Sequence, residues 1–271
     1  MEGDRQHDGG RPDRVEGNMM LTRKQIEKMA TKNKVSLYVQ ERDYIQAAFL
    51  SQLFMVTKGL VFKGGTCLKI AYGSHRFSED LDFNSNISAD QAIEAIRIAT
   101  ERMRYFGIEA VLRDRRAGAS GFCITLSYKG PLYDGRDETK GSVRIDVSLR
   151  GEEAGEAPLL VDTGYDDVGS IILIASKIED IMAEKVRALL VRGTARDLYD
   201  MMFIVAKGVK VDRERVNKKL SIYGIEYTQD QAASQIASLE RRWAKELEPL
   251  LAEVVPYEVA AKAVTEWLAS L

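Results

Sequence analysis

Two acidic residues, Asp80 and Asp82, form the part of the sequence best suited to chemistry. They lie in a short strand-like segment, and alternate side chains of a strand point to the same face. Both carboxylates would therefore share one face, while Leu81 and Phe83 anchor the other face in the core. Two carboxylates about 4 Å apart repel each other by about 4 kcal/mol at an effective dielectric constant of about 20. The pair therefore predicts a bound cation or a shared proton, and Mg²⁺ is the simplest candidate.

A third carboxylate, Asp146, lies in a later strand-like segment with the sequence Val-Arg-Ile-Asp-Val-Ser. Alternation places Arg144 and Asp146 on one face of that strand and the apolar residues on the other. If this strand pairs beside the strand that carries Asp80 and Asp82, three carboxylates converge. That is the donor set that two-metal phosphoryl transfer requires.

A glycine motif precedes these acidic residues, in the segment Phe-Lys-Gly-Gly-Thr that ends at Thr66. Gly64 and Gly65 would form a turn after a strand and let backbone amides approach a phosphate closely, because glycine has no side chain. A helix that starts there points the positive end of its dipole at the same place, and Thr66 adds a hydroxyl. A lone Gly-Gly is usually only a turn, and a lone Asp-x-Asp is usually a solvated strand face. Together they favour a phosphate and metal site.

Lys185 lies in the apolar stripe of a predicted helix. The helix is predicted to start at Ser176, with Ser176 and Glu179 as a capping box, and to run to about Arg192. Lysine is almost never fully buried without a partner, so Lys185 either extends its charge to the edge of the stripe or meets an anion such as a triphosphate. Because the stripe is apolar, Lys185→Met is expected to be nearly neutral for stability on either interpretation.

The next predicted helix carries two aspartates, Asp197 and Asp200, three residues apart and near one face. They could form simple ion pairs with Arg192 or Arg196. Alternatively, they could hold Lys185 and the acceptor of a transfer reaction in place. Both interpretations are open at this point.

Length and composition exclude several classes of protein. The 271 residues are 45% hydrophobic and 30% charged, which is ordinary for a folded globular chain. No apolar run approaches the roughly 18 to 20 residues that a membrane-spanning helix needs. The 39 basic and 41 acidic residues give a net charge of −2, so any contact with nucleic acid must be local. Cys67 and Cys123, with no secretory leader, predict a reducing cytoplasmic location rather than a disulfide framework.

The predicted elements divide the chain into three parts. Residues 1–18 are polar, charged and glycine-rich, so we expect a disordered leader. Residues 19–170 predict an α+β domain with a mixed β-sheet flanked by helices, and residues 171–271 predict a helical C-terminal domain. Strands are predicted at 60–63, 80–84, 108–113, 122–128 and 142–149. Helices are predicted at 22–32, 37–56, 66–72, 88–106, 176–192, 195–207, 212–220, 228–247 and 257–270.

Three groups of basic residues stand apart from these motifs. Each is most simply a solvated face, although one of them could follow an RNA backbone. The sequence alone does not select one. The groups are Arg113, Arg115 and Arg116; Lys218 and Lys219; and Arg241 and Arg242.

In order and type, these motifs resemble the nucleotidyltransferase superfamily that includes DNA polymerase β. They are more closely similar to one branch, the AbiEii/AbiGii-type toxins of abortive-infection systems and their MenT relatives. The similarity covers roughly residues 60–206 and leaves out the leader and the last helices. The matching segments are Lys63-Gly64-Gly65-Thr66, Arg76-x-Ser78-x-Asp80-Leu81-Asp82-Phe83, Ala183-Glu184-Lys185-Val186-Arg187-Ala188-Leu189, Arg192, and Arg196-Asp197-Leu198-Tyr199-Asp200.

The resemblance implies a nucleotidyltransferase fold and a Mg²⁺-dependent transfer of a nucleotide from an NTP to an acceptor. The expected acceptor is tRNA or another RNA, and the expected setting is a type IV-like abortive-infection system with a cognate antitoxin protein. Asp80, Asp82 and Asp146 would hold the metal, and Lys185 and Asp197 would complete the catalytic set. The residues implied in nucleotide binding are Lys63, Gly64, Gly65, Thr66, Arg76, Ser78, Arg196 and Asp200.

Two other functions are compatible with part of these motifs. A nucleotide-binding phosphohydrolase, or a glycosyltransferase, could use Asp-x-Asp alone, but it would have no need of the upstream glycine motif. A catalytically idle protein that only binds its antitoxin would have no need of three carboxylates. The motifs therefore favour the transferase.

Overall fold

The computed structural model describes residues 20–151 and 155–271, so the predicted leader over 1–18 lies outside the described residues. A seven-stranded sheet forms the centre of the fold, with the strand order β3-β4-β5-β2-β1-β7-β6. β1 runs parallel to β7, and β2 runs parallel to β5, while the other neighbours are antiparallel. The predicted mixed sheet is thus confirmed. Its strands are β1 (Leu60–Lys63), β2 (Asp80–Ser85), β3 (Glu109–Gly118), β4 (Gly121–Lys129), β5 (Gly141–Ser148), β6 (Glu156–Asp162) and β7 (Ser170–Ser176).

In the described part of the chain, four α-helices precede the strands or lie between them, and six follow the last strand. The predicted helix over 88–106 ends as an α-helix at Arg102 and continues as a 3₁₀ turn over Met103–Phe106. The predicted helix over 228–247 is broken between α8 and α9 by a 3₁₀ turn over Glu240–Arg242. The helices are α1 (Arg23–Asn33), α2 (Leu37–Val56), α3 (Gly64–Tyr72), α4 (Ala89–Arg102), α5 (Ile178–Val191), α6 (Ala195–Ala206), α7 (Arg213–Ser221), α8 (Gln229–Ser238), α9 (Trp243–Leu247) and α10 (Tyr257–Ala269).

Local capping explains why several of these helices begin where they do. The Thr22 hydroxyl accepts from the Gln25 backbone amide, and the Gln25 side-chain oxygen accepts from the Thr22 backbone amide, which is a capping box at the start of α1. Ser88 and Gln91 make the same pair of bonds at the start of α4. Gly107 follows that helix with φ +73°, a conformation that glycine adopts without strain.

The predicted capping box at Ser176 is wrong. Ser176 is the last residue of β7, and α5 begins only at Ile178, with Lys177 before it and no side-chain cap. The apolar run before Ser176 forms a strand, β7, because it pairs with β6 along its length and with β1 at Ala175, which lies opposite Phe62. The sheet thus extends to Ser176, and the predicted division at residue 170 stays a prediction.

One face of the sheet packs against α2 and α4 to make the main core. Phe83 of β2 contacts Phe62 and Phe54, with ring centroids 5.4 and 6.4 Å apart. Leu81 is fully buried on the same face. The alternation that buries these residues turns their polar neighbours, Asp80 and Asp82, to the other face. Among the described residues, no helix is long and apolar enough to cross a membrane.

Candidate active site

Strand register gathers the predicted carboxylates on one face of the sheet. Asp82 of β2 lies directly opposite Asp146 of the parallel neighbour β5, and opposite Lys63 of β1 on its other side. Asp80 lies two pairs away along the same strand, opposite Arg144. Residues directly opposite each other share a face of the sheet. The two acidic strands are therefore neighbours, which was the condition for the three carboxylates to converge.

Burial, and to a smaller extent the neighbouring carboxylates, disfavour negative charge on this group. Burial, together with repulsion from Asp80 and Asp146, raises the pKa of Asp82 from 3.8 to about 6, although Lys63 acts against this. Burial also raises the pKa of Asp80 above its ordinary value. Carboxylates that resist ionisation together accept a cation readily, because the cation removes their mutual repulsion.

Arg144 supplies positive charge to one of the three carboxylates. Its guanidinium contacts both oxygens of Asp146, with Nε 2.7 Å from Oδ2 and Nη2 2.9 Å from Oδ1. Across residues 20–151 and 155–271, no three acidic, histidine or cysteine side chains are gathered into a ready metal site. Arg144 therefore competes with a cation for the oxygens of Asp146, which lies on the same face of the sheet as Asp80 and Asp82. The oxygens are of the type that Mg²⁺ prefers, so the donor set fits that ion.

The two glycines of the motif lie in the first turn of α3, two residues earlier than the predicted helix start. Gly64 has φ +77°, and a Cβ there would clash with the carboxylate of Asp82. A Cβ on Gly65 would clash with the Arg76 guanidinium. Glycine is thus required at both positions by close approach to site residues. The fully buried Thr66 hydroxyl donates to the Asp80 backbone carbonyl, which fixes β2 to α3.

Lys185 is buried between two aspartates of α6. Its ammonium lies 3.1 Å from Oδ1 of Asp197 and 2.7 Å from Oδ2 of Asp200. Burial opposes the charge on Lys185, but the two carboxylates outweigh this effect and raise its pKa. The anion that Lys185 meets in this structure therefore belongs to the protein itself.

Asp200 also binds Arg76, which is only 3% exposed. The Arg76 Nε and Nη2 atoms donate to the two oxygens of Asp200 over 2.8 Å each, and Nη1 donates to the carbonyl of Phe77. This bidentate pair is of the strong, geometrically specific kind. It holds the turn before β2 against α6. Arg76 and Asp200 therefore help to position Asp80 and Asp82.

Asp197 organises the start of α6. Burial opposes its ionisation, but Lys185 and Arg192 hold the pKa of Asp197 well below its ordinary value. Arg192 donates two bonds of 2.9 Å to its oxygens, and the Thr194 hydroxyl donates a third of 2.7 Å. Of the two predicted arginine partners, Arg192 pairs with Asp197, whereas Arg196 pairs with Glu79 over 2.8 Å.

These groups line a cleft of about 510 Å³ between the sheet face and α6. One wall carries the carboxylates and the other is rich in positive charge. Glu246, from the C-terminal region, closes one end and accepts a 2.9 Å bond from the Ala195 amide. The cleft is lined by Gly65, Arg76, Ser78, Asp80, Asp82, Arg144, Asp146, Lys185, Arg192, Thr194, Arg196, Asp197 and Glu246.

Sequence reasoning missed a second buried cluster beside the cleft. Glu184 lies 3.0 Å from the ammonium groups of both Lys63 and Lys219. Lys63, predicted to bind nucleotide, is thus tied to α5 by Glu184. Glu184 could have been recognised from the sequence, because it lies inside the matching Ala-Glu-Lys-Val-Arg segment. Its partners could not, because they depend on the fold. Arg144, Thr194 and Glu246 were also absent from the predicted site.

Glu184→Gln is expected to lower stability at pH 7 by about 2 to 3 kcal/mol. Burial opposes ionisation of Glu184, but Lys63 and Lys219 prevail and lower its pKa from 4.5 to about 2. A lowered carboxyl pKa stabilises the fold above pH 4.5, and this contribution is lost as the pH falls towards 2. Urea unfolding should therefore show a difference between variant and wild type that shrinks between pH 7 and pH 3.

Glu94→Gln is the matched control for this prediction, since Glu94 forms an exposed pair with Arg97 on the helix surface. Exposed pairs of this kind contribute little to stability. If Glu184→Gln loses as much stability at pH 3 as at pH 7, the loss comes from packing and not from the ion pairs.

Solved structures of other proteins share this fold. The chain matches MenT4, a nucleotidyltransferase toxin from Mycobacterium tuberculosis H37Rv, with a TM-score of 0.69 and 21% identity over 93% of this chain and 90% of that one. It matches JHP933 from Helicobacter pylori with a TM-score of 0.57 and 20% identity, over 87% and 92% of the two chains. At such identities the likeness shows the fold alone.

Family membership comes from the sequence itself. No curated protein sequence matches the chain. Residues 49–269, however, match the family described as the nucleotidyl transferase AbiEii toxin of a type IV toxin–antitoxin system. This match spans most of the chain and includes every residue of the cleft. The chain therefore belongs to the AbiEii family of nucleotidyltransferase toxins of type IV toxin–antitoxin systems, and it is an enzyme of that class.

Proposed function

We propose that this enzyme moves a nucleotide from an NTP to tRNA or another RNA, with Mg²⁺ as its metal ion. The observation that carries the proposal is the pairing of Asp82 with Asp146 across neighbouring strands, beside Asp80. The three carboxylates face a cleft whose opposite wall contains Arg192 and Arg196. An arrangement with metal-binding oxygens on one side and cations on the other suits a triphosphate.

Asp80, Asp82 and Asp146 are the proposed metal ligands. When bound, Mg²⁺ would neutralise the negative charge that these carboxylates and the triphosphate bring together. The raised pKa of Asp82, about 6, supports this assignment, because burial and its acidic neighbours disfavour an uncompensated charge there. Arg144 would release Asp146 as the metal binds, and its guanidinium would then be available to a phosphate.

The triphosphate would lie between the first turn of α3 and the start of α6. Gly65 and Ser78 line one side of that space, and Arg196 lines the other. The amides of the first helical turn and the positive end of the helix dipole favour an anion there. Lys185, Asp197, Arg76 and Asp200 would fix the two helices and the turn around it, through the buried ion pairs.

The reaction would be in-line attack by a hydroxyl of the acceptor on the α-phosphate, with departure of pyrophosphate. Asp146 would take the proton of the attacking hydroxyl, since it lies at the open side of the acidic group. Positioning and charge would supply most of the rate enhancement. As a member of its family, the enzyme would act in the cytoplasm and be held inactive by a cognate antitoxin protein.

The decisive experiment incubates the protein with each of the four NTPs labelled at the α-phosphate, Mg²⁺ and total tRNA. We expect label from one preferred NTP to appear in the RNA, with release of pyrophosphate, and we expect EDTA to prevent it. Release of free phosphate without labelled RNA would support the phosphohydrolase instead. Tight NTP binding without any turnover would support the catalytically idle antitoxin-binding protein.

A further inference from the structure

The half of the sheet formed by β3, β4 and β5 has one covered face and one open face. The helices that pack on this half, α2 and α4, lie on the face that buries Ile124 and Leu126 of β4 and Ile145 of β5. The residues that alternate with these are half-buried or exposed, among them Thr125 of β4 and Arg144 of β5. The open face is the one that carries the catalytic carboxylates.

The register of the strands aligns two rows of side chains, which run from the carboxylates to the edge of the sheet. In the first row, Asp82 is opposite Asp146, Asp146 is opposite Cys123, and Cys123 is opposite Arg116 of the edge strand β3. Neighbouring strands lie about 5 Å apart, so Arg116 is about 10 Å from Asp146 at the backbone. All members of a row point to the same face.

The second row runs beside the first. Asp80 is opposite Arg144, Arg144 is opposite Thr125, and Thr125 is opposite Arg113 of β3. A bulge in β3 between Arg113 and Arg116 keeps both arginines on the open face, although three positions separate them in the chain. The two rows therefore end in an arginine pair at the edge of the sheet, on the face of the carboxylates.

In the part of the chain that the structure describes, no acidic side chain forms an ion pair with these arginines, although Asp137, which pairs with Lys140, is close enough to Arg113 for their charges to interact. Both guanidinium groups are on exposed residues. Arg116 also lines a depression of about 440 Å³, which shares Asp82 and Asp146 with the nucleotide cleft and contains Arg150. Exposed cations beside an acidic centre are suited to an anion that reaches that centre.

We infer that the arginine pair and this depression bind the end of the acceptor RNA, so that the RNA and the NTP approach the carboxylates from opposite sides. The inference rests on the proposed function and adds the surface on which the acceptor lies. Phosphates of the RNA backbone would contact Arg113, Arg116 and Arg150, and the terminal sugar would lie at Asp82 and Asp146. The net charge of the chain is −2, so local cations of this kind must supply the attraction.

An RNA strand fits this surface better than a second nucleotide does. The two rows stretch across four strands, from β2 to β3, which is longer than one phosphate group, and they end at the open edge of the sheet. Open sheet faces bordered by arginines are a common platform for single-stranded RNA ends, which are held by backbone charge and by stacking on guanidinium planes. Of the three basic groups in the sequence, Arg113 and Arg116 are thus assigned to RNA.

The test measures binding of 5′-labelled total tRNA by fluorescence anisotropy, at salt concentrations from 50 to 200 mM. Arg113→Glu/Arg116→Glu should weaken binding by about tenfold or more. The slope of log affinity against log salt concentration should fall by the amount expected for the loss of about one to two phosphate contacts. The KM for the preferred NTP should stay within about twofold of wild type, because neither residue lines the nucleotide cleft. Arg113→Gln/Arg116→Gln should show a smaller loss of the same kind. This variant provides the test if the glutamates disturb the edge strand.

Lys24→Glu/Lys28→Glu is the matched control, with the same change of charge on the exposed side of α1. It should bind tRNA like wild type. If both arginine variants bind and label tRNA like wild type, or if the lysine control loses as much affinity, the inference is wrong while the proposed function stands. If wild type labels no RNA, the proposed function fails at its own experiment, whatever the arginine variants do.

Discussion

Asp82→Asn is expected to reduce nucleotide transfer by at least about a hundredfold while the protein stays folded. Asp82 lies at the centre of the acidic group, with Asp146 opposite on one side and Lys63 on the other. Asparagine keeps the shape of the side chain but removes the charge that a metal ion needs. The measurement is the rate of label transfer from α-labelled NTP to tRNA at saturating Mg²⁺.

The same variant is expected to be more stable than wild type in EDTA at pH 7, by roughly 2 to 3 kcal/mol. The pKa of Asp82 is about 6 in the folded protein and 3.8 ordinarily, so the folded state holds this proton more tightly than the unfolded state. A raised carboxyl pKa therefore costs stability as the pH rises from about 4 to 6. Urea unfolding should show the gain of the variant at pH 7 and no gain at pH 4.

Asp166→Asn is the control, because Asp166 is exposed and lies outside the cleft. It should transfer label and unfold like wild type. Transfer by Asp82→Asn at a rate near that of wild type would remove Asp82 from the proposed metal site. Equal stability of Asp82→Asn and wild type at pH 7 would show that the acidic residues are not under repulsion.

Lys185→Met is expected to destabilise the protein by about 3 kcal/mol and to abolish most transfer. The sequence alone predicts a nearly neutral change, because the stripe around Lys185 is apolar. The structure reverses that expectation, since the ammonium is bound to both Asp197 and Asp200, whose side chains are 0% and 1% exposed. Methionine would leave the buried Asp200 with Arg76, and the buried Asp197 with Arg192 and the Thr194 hydroxyl. Urea unfolding at pH 7 measures the loss.

A matched control and a double variant test the cause of this loss. Lys210→Met changes the same residue type at an exposed position and should be neutral. Lys185→Met/Asp200→Asn should recover part of the stability, because one buried negative charge is removed together with the lysine. Lys185→Met with wild-type stability would contradict the buried ion pairs, and unchanged transfer would contradict any role of Lys185 in placing α6.

The sequence by itself determined the features that depend on near neighbours in the chain. The capping boxes at Thr22 and Ser88 were predictable, because each is closed by a residue three positions later. The alternation around Asp82 was predictable for the same reason, since the pleat of a strand decides which side chains share a face. The family similarity then connected these local features with nucleotide transfer.

Only the tertiary structure decided which of these features meet. β6 and β7 were both missed, although they pair with each other over seven residues and are near neighbours in the chain. The place of β7 in the sheet is set by β1, where Phe62 lies opposite Ala175, more than a hundred positions away. No local pattern reveals such a pairing, and the wrong capping box at Ser176 followed from that omission.

The partners of the charged residues were decided in the same way. Lys185 was recognised as unusual, but its carboxylates come from another helix, and Glu184 joins lysines from β1 and α7. A buried charge requires a partner, but the choice of partner depends on distance in space. The sequence therefore determined which residues needed an opposite charge, and the packing of α5 and α6 against the sheet decided where each one found it.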